Sequence, residues 1–158
     1  MLDSDATIKA IADKNGLLTS YLQTEIVKFV SPEMNGINYT VYEGEWEDQP
    51  NLSKLREVSG GRQYDFNVKR IKKREDHIAI VFNGFIQIEN AGIYTFYSSA
   101  NDGSWFYINN KLVVDNPSGT ERGDISLKKG KYPLKVIYFE NTGTESLDLY
   151  MRGPGIEK

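Results

Sequence analysis

Residues 74–116, REDHIAIVFNGFIQIENAGIYTFYSSANDGSWFYINNKLVVDN, decide the fold. Ile78, Ile80 and Phe82 alternate along the stretch His77–Glu89, and Ile86 and Ile88 continue it. Between them lies Asn83-Gly84, where the glycine predicts a bulge or bend. Asn90-Ala91-Gly92 makes a turn ahead of Ile93–Tyr97, an aromatic and β-branched run. Trp105–Ile108 and Lys111–Val114 flank Asn109-Asn110, and asparagine tolerates the positive φ of a two-residue hairpin turn.

The same grammar extends outward in both directions. Downstream come Asp124–Leu127, a Lys129-Gly130 turn, Tyr132–Glu140, and Leu147, Leu149 and Met151 ahead of Gly153-Pro154-Gly155. Upstream, Ile37, Tyr39 and Val41 alternate with Asn38, Thr40 and Tyr42. Short strands at roughly 8–12-residue spacing predict an all-β fold, an antiparallel β-sandwich or barrel. Pro133 has no N–H to give a ladder, so it belongs at a strand start or an edge. One small helical segment is expected near Leu52–Val58.

The first 34 residues read differently, as an extension to a β domain over 35–158. Residues 4–15, SDATIKAIADKN, predict a short helix capped by Ser4 or Asp5, with Ile8, Ile11 and Ala12 as a thin apolar face. Glu25–Val30 leans towards a strand ended by Ser31-Pro32.

Composition excludes several functions. The 158 residues carry 19 basic and 22 acidic side chains, a net charge of −3, which excludes a strongly basic nucleic-acid binder. The run Lys69–Arg74 is offset by Glu75 and Asp76 and reads as a solvated loop. With no cysteine there is no disulfide and no thiolate site. His77 is the single histidine, so a zinc site or a Ser-His-Asp triad lacks its parts. It reads as part of a block with Arg74 and Asp76 where a strand begins. No apolar run approaches the roughly 18 residues of a membrane span, and residues 1–6 lack the basic and apolar regions of a signal peptide. The chain is therefore expected to be either cytosolic or an excised part of a longer secreted one.

YTVYEGEW (39–46), the opening stretch, KKGKYPLKVIYFE (128–140) and RGPG (152–155) occur in an order that resembles the PA-fourteen domain family, named after a part of anthrax protective antigen. The blocks YEGEW and KREDH are similar to the group found in bacterial glycoside hydrolases. The resemblance covers about residues 35–156. It implies a β-sandwich or barrel with loops at one end, in a non-catalytic accessory module of a larger extracytoplasmic protein. In lectin-like members, the adhesins, two adjacent aspartates hold a calcium ion that ligates sugar hydroxyls.

Asn101-Asp102-Gly103-Ser104 takes the place of that family's Asp-Asp-Gly-Ser block. The resemblance thus marks Asn101, Asp102 and Gly103 as glycan contacts, and Asn101 and Asp102 as calcium ligands. Calcium takes several oxygen ligands, and asparagine in place of the first aspartate removes one charge from the set. The other reading is a turn in which Asx side chains bond nearby backbone. Asp115-Asn116 returns along the Asn109-Asn110 hairpin to the same end. Asp115 is then a second candidate metal ligand and Asn116 a candidate sugar contact, against the reading of a loop cap. If Phe106 and Ile108 face the core, Trp105 and Tyr107 face away from it. Trp105 either stacks on a sugar ring or packs against other strands or a neighbouring domain. Pro117–Gly123 is a polar loop able to rim a site. Glu43, Glu45, Glu47 and Asp48 cluster in sequence, but a catalytic pair needs a defined separation.

Two functions remain. One is glycan binding, calcium-assisted, on behalf of a catalytic domain in the parent protein. The other is docking on that catalytic domain to shape its active-site entrance without binding sugar alone.

Overall fold

The computed structural model describes residues 6–10, 23–27, 36–71 and 74–156. The chain divides between Asn35 and Gly36 into two compact units. In the first, β1 (Ala6–Ala10) pairs antiparallel with β2 (Gln23–Val27), Ala6 opposite Val27 and Ala10 opposite Gln23. The helix expected over 4–15 is therefore not formed at 6–10. Thr7 and Ile8 are β-branched and favour an extended chain, and β2 satisfies the backbone that a thin apolar face left to a marginal helix. The remainder of that expected helix, and residues 28–30 of the expected strand, lie outside the described residues.

The second unit contains β3 (Ile37–Glu43), β4 (Glu57–Gln63), β5 (Ile78–Ile88), β6 (Gly92–Ala100), β7 (Gly103–Ile108), β8 (Lys111–Asn116), β9 (Gly119–Leu127), β10 (Gly130–Glu140) and β11 (Leu147–Arg152). They form a six-stranded sheet in the order β4-β3-β5-β10-β7-β8 and a three-stranded sheet in the order β11-β6-β9. All pairings are antiparallel. The main core gathers Ile80 and Phe82 of β5, Phe96 of β6, Phe106 and Ile108 of β7, and Val136 and Tyr138 of β10.

The run Ile78–Phe82 is apolar at every position because both faces of the large sheet are covered there. Ala79, Val81, Trp105, Ile137 and Phe139 build a second cluster on the outer face. Trp46, Leu52 and Leu55, from the connection between β3 and β4, pack against it. The helix expected near Leu52–Val58 shrinks to a 3-10 turn at Leu52–Lys54, and β4 has begun by Glu57.

Three local readings resolve physically. Asn109 and Asn110 adopt φ of 49° and 62°, as a two-residue turn between β7 and β8 requires. Gly84 makes no bulge: β5 runs in register past it on β10, and its pairing with β3 ends at Asn83. Its role is close approach, since a Cβ there would stand 3.1 Å from Ile37 Cγ1. Pro133 lies near the start of β10, beyond the last residue that β7 pairs. Its carbonyl accepts the Asn109 N–H at 2.9 Å, so its missing donor points at the turn and costs no ladder bond.

Candidate functional site

Strand register brings five connections to one end of the sandwich. Glu43 and Glu140 both pair with Ile78, Gly103 pairs with Phe139, Asn116 with Ser104, and Ala100 with both Leu147 and Gly119. Residues 44–56, the approach to His77, 101–102, 117–118 and 141–146 therefore converge. Of the expected loop Pro117–Gly123, only Pro117 and Ser118 are loop, because β9 starts at Gly119.

Asn101 and Asp102 occupy the turn between β6 and β7, joined by a trans peptide bond. Asp102 Oδ2 accepts the Asn141 N–H at 2.6 Å. Asn101 donates its N–H to Ser146 O at 3.3 Å and Nδ2 to Glu140 Oε1 at 3.4 Å. Glu140 is fully buried, and the Tyr138 hydroxyl donates to its Oε2 at 2.8 Å. Burial raises the Glu140 pKa, the Tyr138 hydrogen bond opposes the rise, and the neighbouring Asp102 charge adds to it. The Tyr138 phenol is in turn held well above its ordinary value by burial and by Glu140.

Sequence reasoning missed Glu140 and Asn141. Asn141 ties the loops together: its Nδ2 donates to Trp46 O at 2.6 Å, its Oδ1 accepts Trp46 N–H at 3.2 Å, and its carbonyl accepts His77 N–H at 2.9 Å. The one available signal was position, two polar residues directly after an apolar strand that ends at the loop cluster.

The other candidates are engaged elsewhere. Alternation does turn Trp105 and Tyr107 away from the main core, but the outer cluster covers them. Trp105 is 2% exposed and stacks on Phe139 with centroids 5.7 Å apart, leaving no ring face for a sugar. Its Nε1 donates to Asp115 Oδ1 at 2.7 Å, which places the Asp115 carboxylate on the indole edge rather than with Asp102 and Glu140. Gly103 is buried under Phe139 and Trp105. Asn116 is also buried, and Nδ2 lies within 3.2 Å of Ser98 O, Ser104 Oγ and Gly119 O as a strut between the sheets.

The acidic run at 43–48 is spread over local ties. Glu43 Oε2 lies 3.6 Å from Arg74 Nη1, Glu45 Oε1 lies 3.7 Å from His77 Nδ1, and Asp48 Oδ1 accepts Gln49 N–H. Arg74 donates to the carbonyls of Asp76 and His77 at 2.8 and 2.9 Å, so the block at the start of β5 is built as the sequence suggested.

As a metal centre the end offers hard oxygen donors: two carboxylates, Asp102 and Glu140, and the Asn101 carboxamide. No group of three His, Cys, Asp or Glu side chains able to hold a metal occurs among the described residues. The donor chemistry fits calcium, with backbone carbonyls needed to complete it.

The PA14 domain model matches residues 38–158. The chain belongs to the PA14 domain family. No curated protein sequence matches it. Several solved structures share its fold. An α-xylosidase from Xanthomonas citri superposes with a TM-score of 0.56 at 19% identity, over 75% of this chain and 13% of that one. The epithelial adhesin 9 A domain from Candida glabrata, in complex with Galβ1-4GlcNAc, gives 0.60 at 12% identity, over 82% and 87%. An anti-sigma factor domain-containing protein from Clostridium clariflavum gives 0.59 at 23% identity, over 92% and 54%. The chain thus spans about an eighth of the xylosidase and about half of the clostridial protein.

Proposed function

We propose that this PA14 domain is a non-catalytic carbohydrate-binding module of a larger extracytoplasmic protein, with calcium held at the β6–β7 turn. The observation that carries the reading is the meeting of Asn101, Asp102 and buried Glu140 where five connections converge. Asp102, Glu140 and the Asn101 carboxamide would hold the ion, and calcium there would supply open coordination positions for vicinal sugar hydroxyls. Asn141 fixes the Asp102 carboxylate by its backbone N–H, so little ordering remains to be done on binding. Related folds in a sugar-bound adhesin and in an α-xylosidase support a glycan ligand and a glycoside hydrolase parent. The family match and the likeness to a lectin-like adhesin domain support the non-catalytic part of the reading.

A second reading is favoured by one observation. Trp105, the aromatic nearest the turn, is consumed by packing, so the loop end lacks the sugar platform that the sequence offered. In that reading the end docks on the catalytic domain of the parent protein. Thermal melts with calcium, with chelator, and with calcium plus a panel of mono- and oligosaccharides separate the two. Binding to the native state alone raises the melting temperature. A calcium shift lost in Asp102→Ala, with a further sugar-specific shift, supports the first reading. No shift at millimolar concentrations supports docking.

A further inference from the structure

The flank of the sandwich holds a second concave surface, built by the segment that links β4 to β5. Gln63 pairs with Ile37 at the end remote from the loops, and Ile78 begins at the loop end, so the chain must climb the sandwich between them. Phe66, Val68 and Ile71 turn inward, with Phe66 edge-on to Phe82 at 5.2 Å. Asp65, Asn67 and Lys69 are thereby left towards solvent. The segment is braced from within: Asp65 Oδ1 accepts Asn67 N–H, Asn67 Oδ1 accepts Lys69 N–H, and Arg70 closes on Asp65 Oδ2 at 2.8 Å. Facing it are Glu145–Leu149. Between the two walls lies a cleft of about 510 Å³, with Tyr64 in its lining and 64% exposed.

We propose that this cleft is a second carbohydrate-binding site, taking a neutral oligosaccharide along the flank without a metal ion. Its volume falls within the roughly 300–1,000 Å³ of small-molecule sites. An exposed tyrosine ring offers a flat apolar face for the C–H side of a pyranose, and the polar side chains around it offer partners for hydroxyls. Among the described lining residues Asp65, already paired with Arg70, Glu145 and Asp148 accompany Lys69, so no surplus of positive charge lines the cleft. Such a lining offers phosphates and uronic acids no attraction and suits an uncharged polyol. The braced wall lowers the ordering cost of binding. The proposal shares its ligand class with the function above but uses none of the residues at the β6–β7 turn.

Isothermal titration calorimetry of the full chain in EDTA, with cellohexaose, xylohexaose and maltohexaose as probes, tests it. One of the three should bind. Tyr64→Ala and Asp148→Ala, both at exposed positions, should each weaken that binding about tenfold. Asp102→Ala should leave it within about twofold. Three outcomes overturn the proposal: no heat with any hexasaccharide, wild-type affinity in Tyr64→Ala, or capture of hexalysine in place of the sugars. Loss of calcium-dependent binding in Asp102→Ala concerns only the other site, so the two failures are distinguishable.

Discussion

Glu140 and Asp102 crowd two carboxyl groups at one end of the sandwich, and it is Glu140 that is wholly buried. The Asn141 N–H donates to Asp102, and burial, with the neighbouring Asp102 charge adding to it, keeps the Glu140 carboxyl above its ordinary value of 4.5. The folded state therefore binds more protons than the unfolded state between the two Glu140 values. The contribution of Glu140 is complete below the unfolded value and is lost as pH rises through the raised folded one. In chelator, denaturant unfolding should show this as a loss of stability between about pH 4.5 and the folded value. Glu140→Gln should flatten that slope. An unchanged slope in the variant would remove Glu140 as its source.

Calcium should act on the same pair. At about 10 mM calcium and a dissociation constant of about 1 mM, typical of weak extracellular sites, the native state gains about 1.4 kcal/mol. A cation beside Glu140 favours its ionised form, so the gain should grow as pH rises from about 5 to about 7. Calcium melts at the two pH values read this directly, and a gain independent of pH would place the ion away from Glu140.

Asn141→Ala should cost about 1–3 kcal/mol, because both backbone groups of Trp46 lose their side-chain partner. The Asn141 N–H to Asp102 survives in this variant, so calcium binding should weaken less than in Asp102→Ala. Urea unfolding and calcium titration of the two variants make the comparison.

Trp105→Ala should cost about 3–5 kcal/mol, the penalty of a buried aromatic truncation. Trp105→Phe keeps a ring on Phe139 and loses the bond to Asp115, an exposed acceptor that water can satisfy, so it should cost about 1 kcal/mol. Stability measured for both would show no loss if the indole stood free as a sugar platform.

The strands were legible because alternation, Asn-Asn and the turn glycines are local signals. Trp105 shows where legibility ends. Alternation correctly put it on the face away from Phe106, but nothing local says that residues 44–55, some 50 positions earlier, fold back over that face. Glu140 and Asn141 were missed for the same reason: their roles come from register with β5 and β7 rather than from neighbours in sequence. Asp102 could be singled out only by family resemblance. The short N-terminal helix failed because pairing with a strand 13 residues further on outweighed a weak helical pattern.

Asn141 touches three of the converging connections at once, through Asp102, Trp46 and His77. Substitutions in those stretches will therefore be epistatic. A change at 44–48 that shifts Trp46 will move the anchor of Asp102, whatever it does locally. Libraries that diversify one of these loops at a time should yield mostly defective variants, whereas exchanging 44–48, 101–102 and 141–146 as a set should keep the loop end folded.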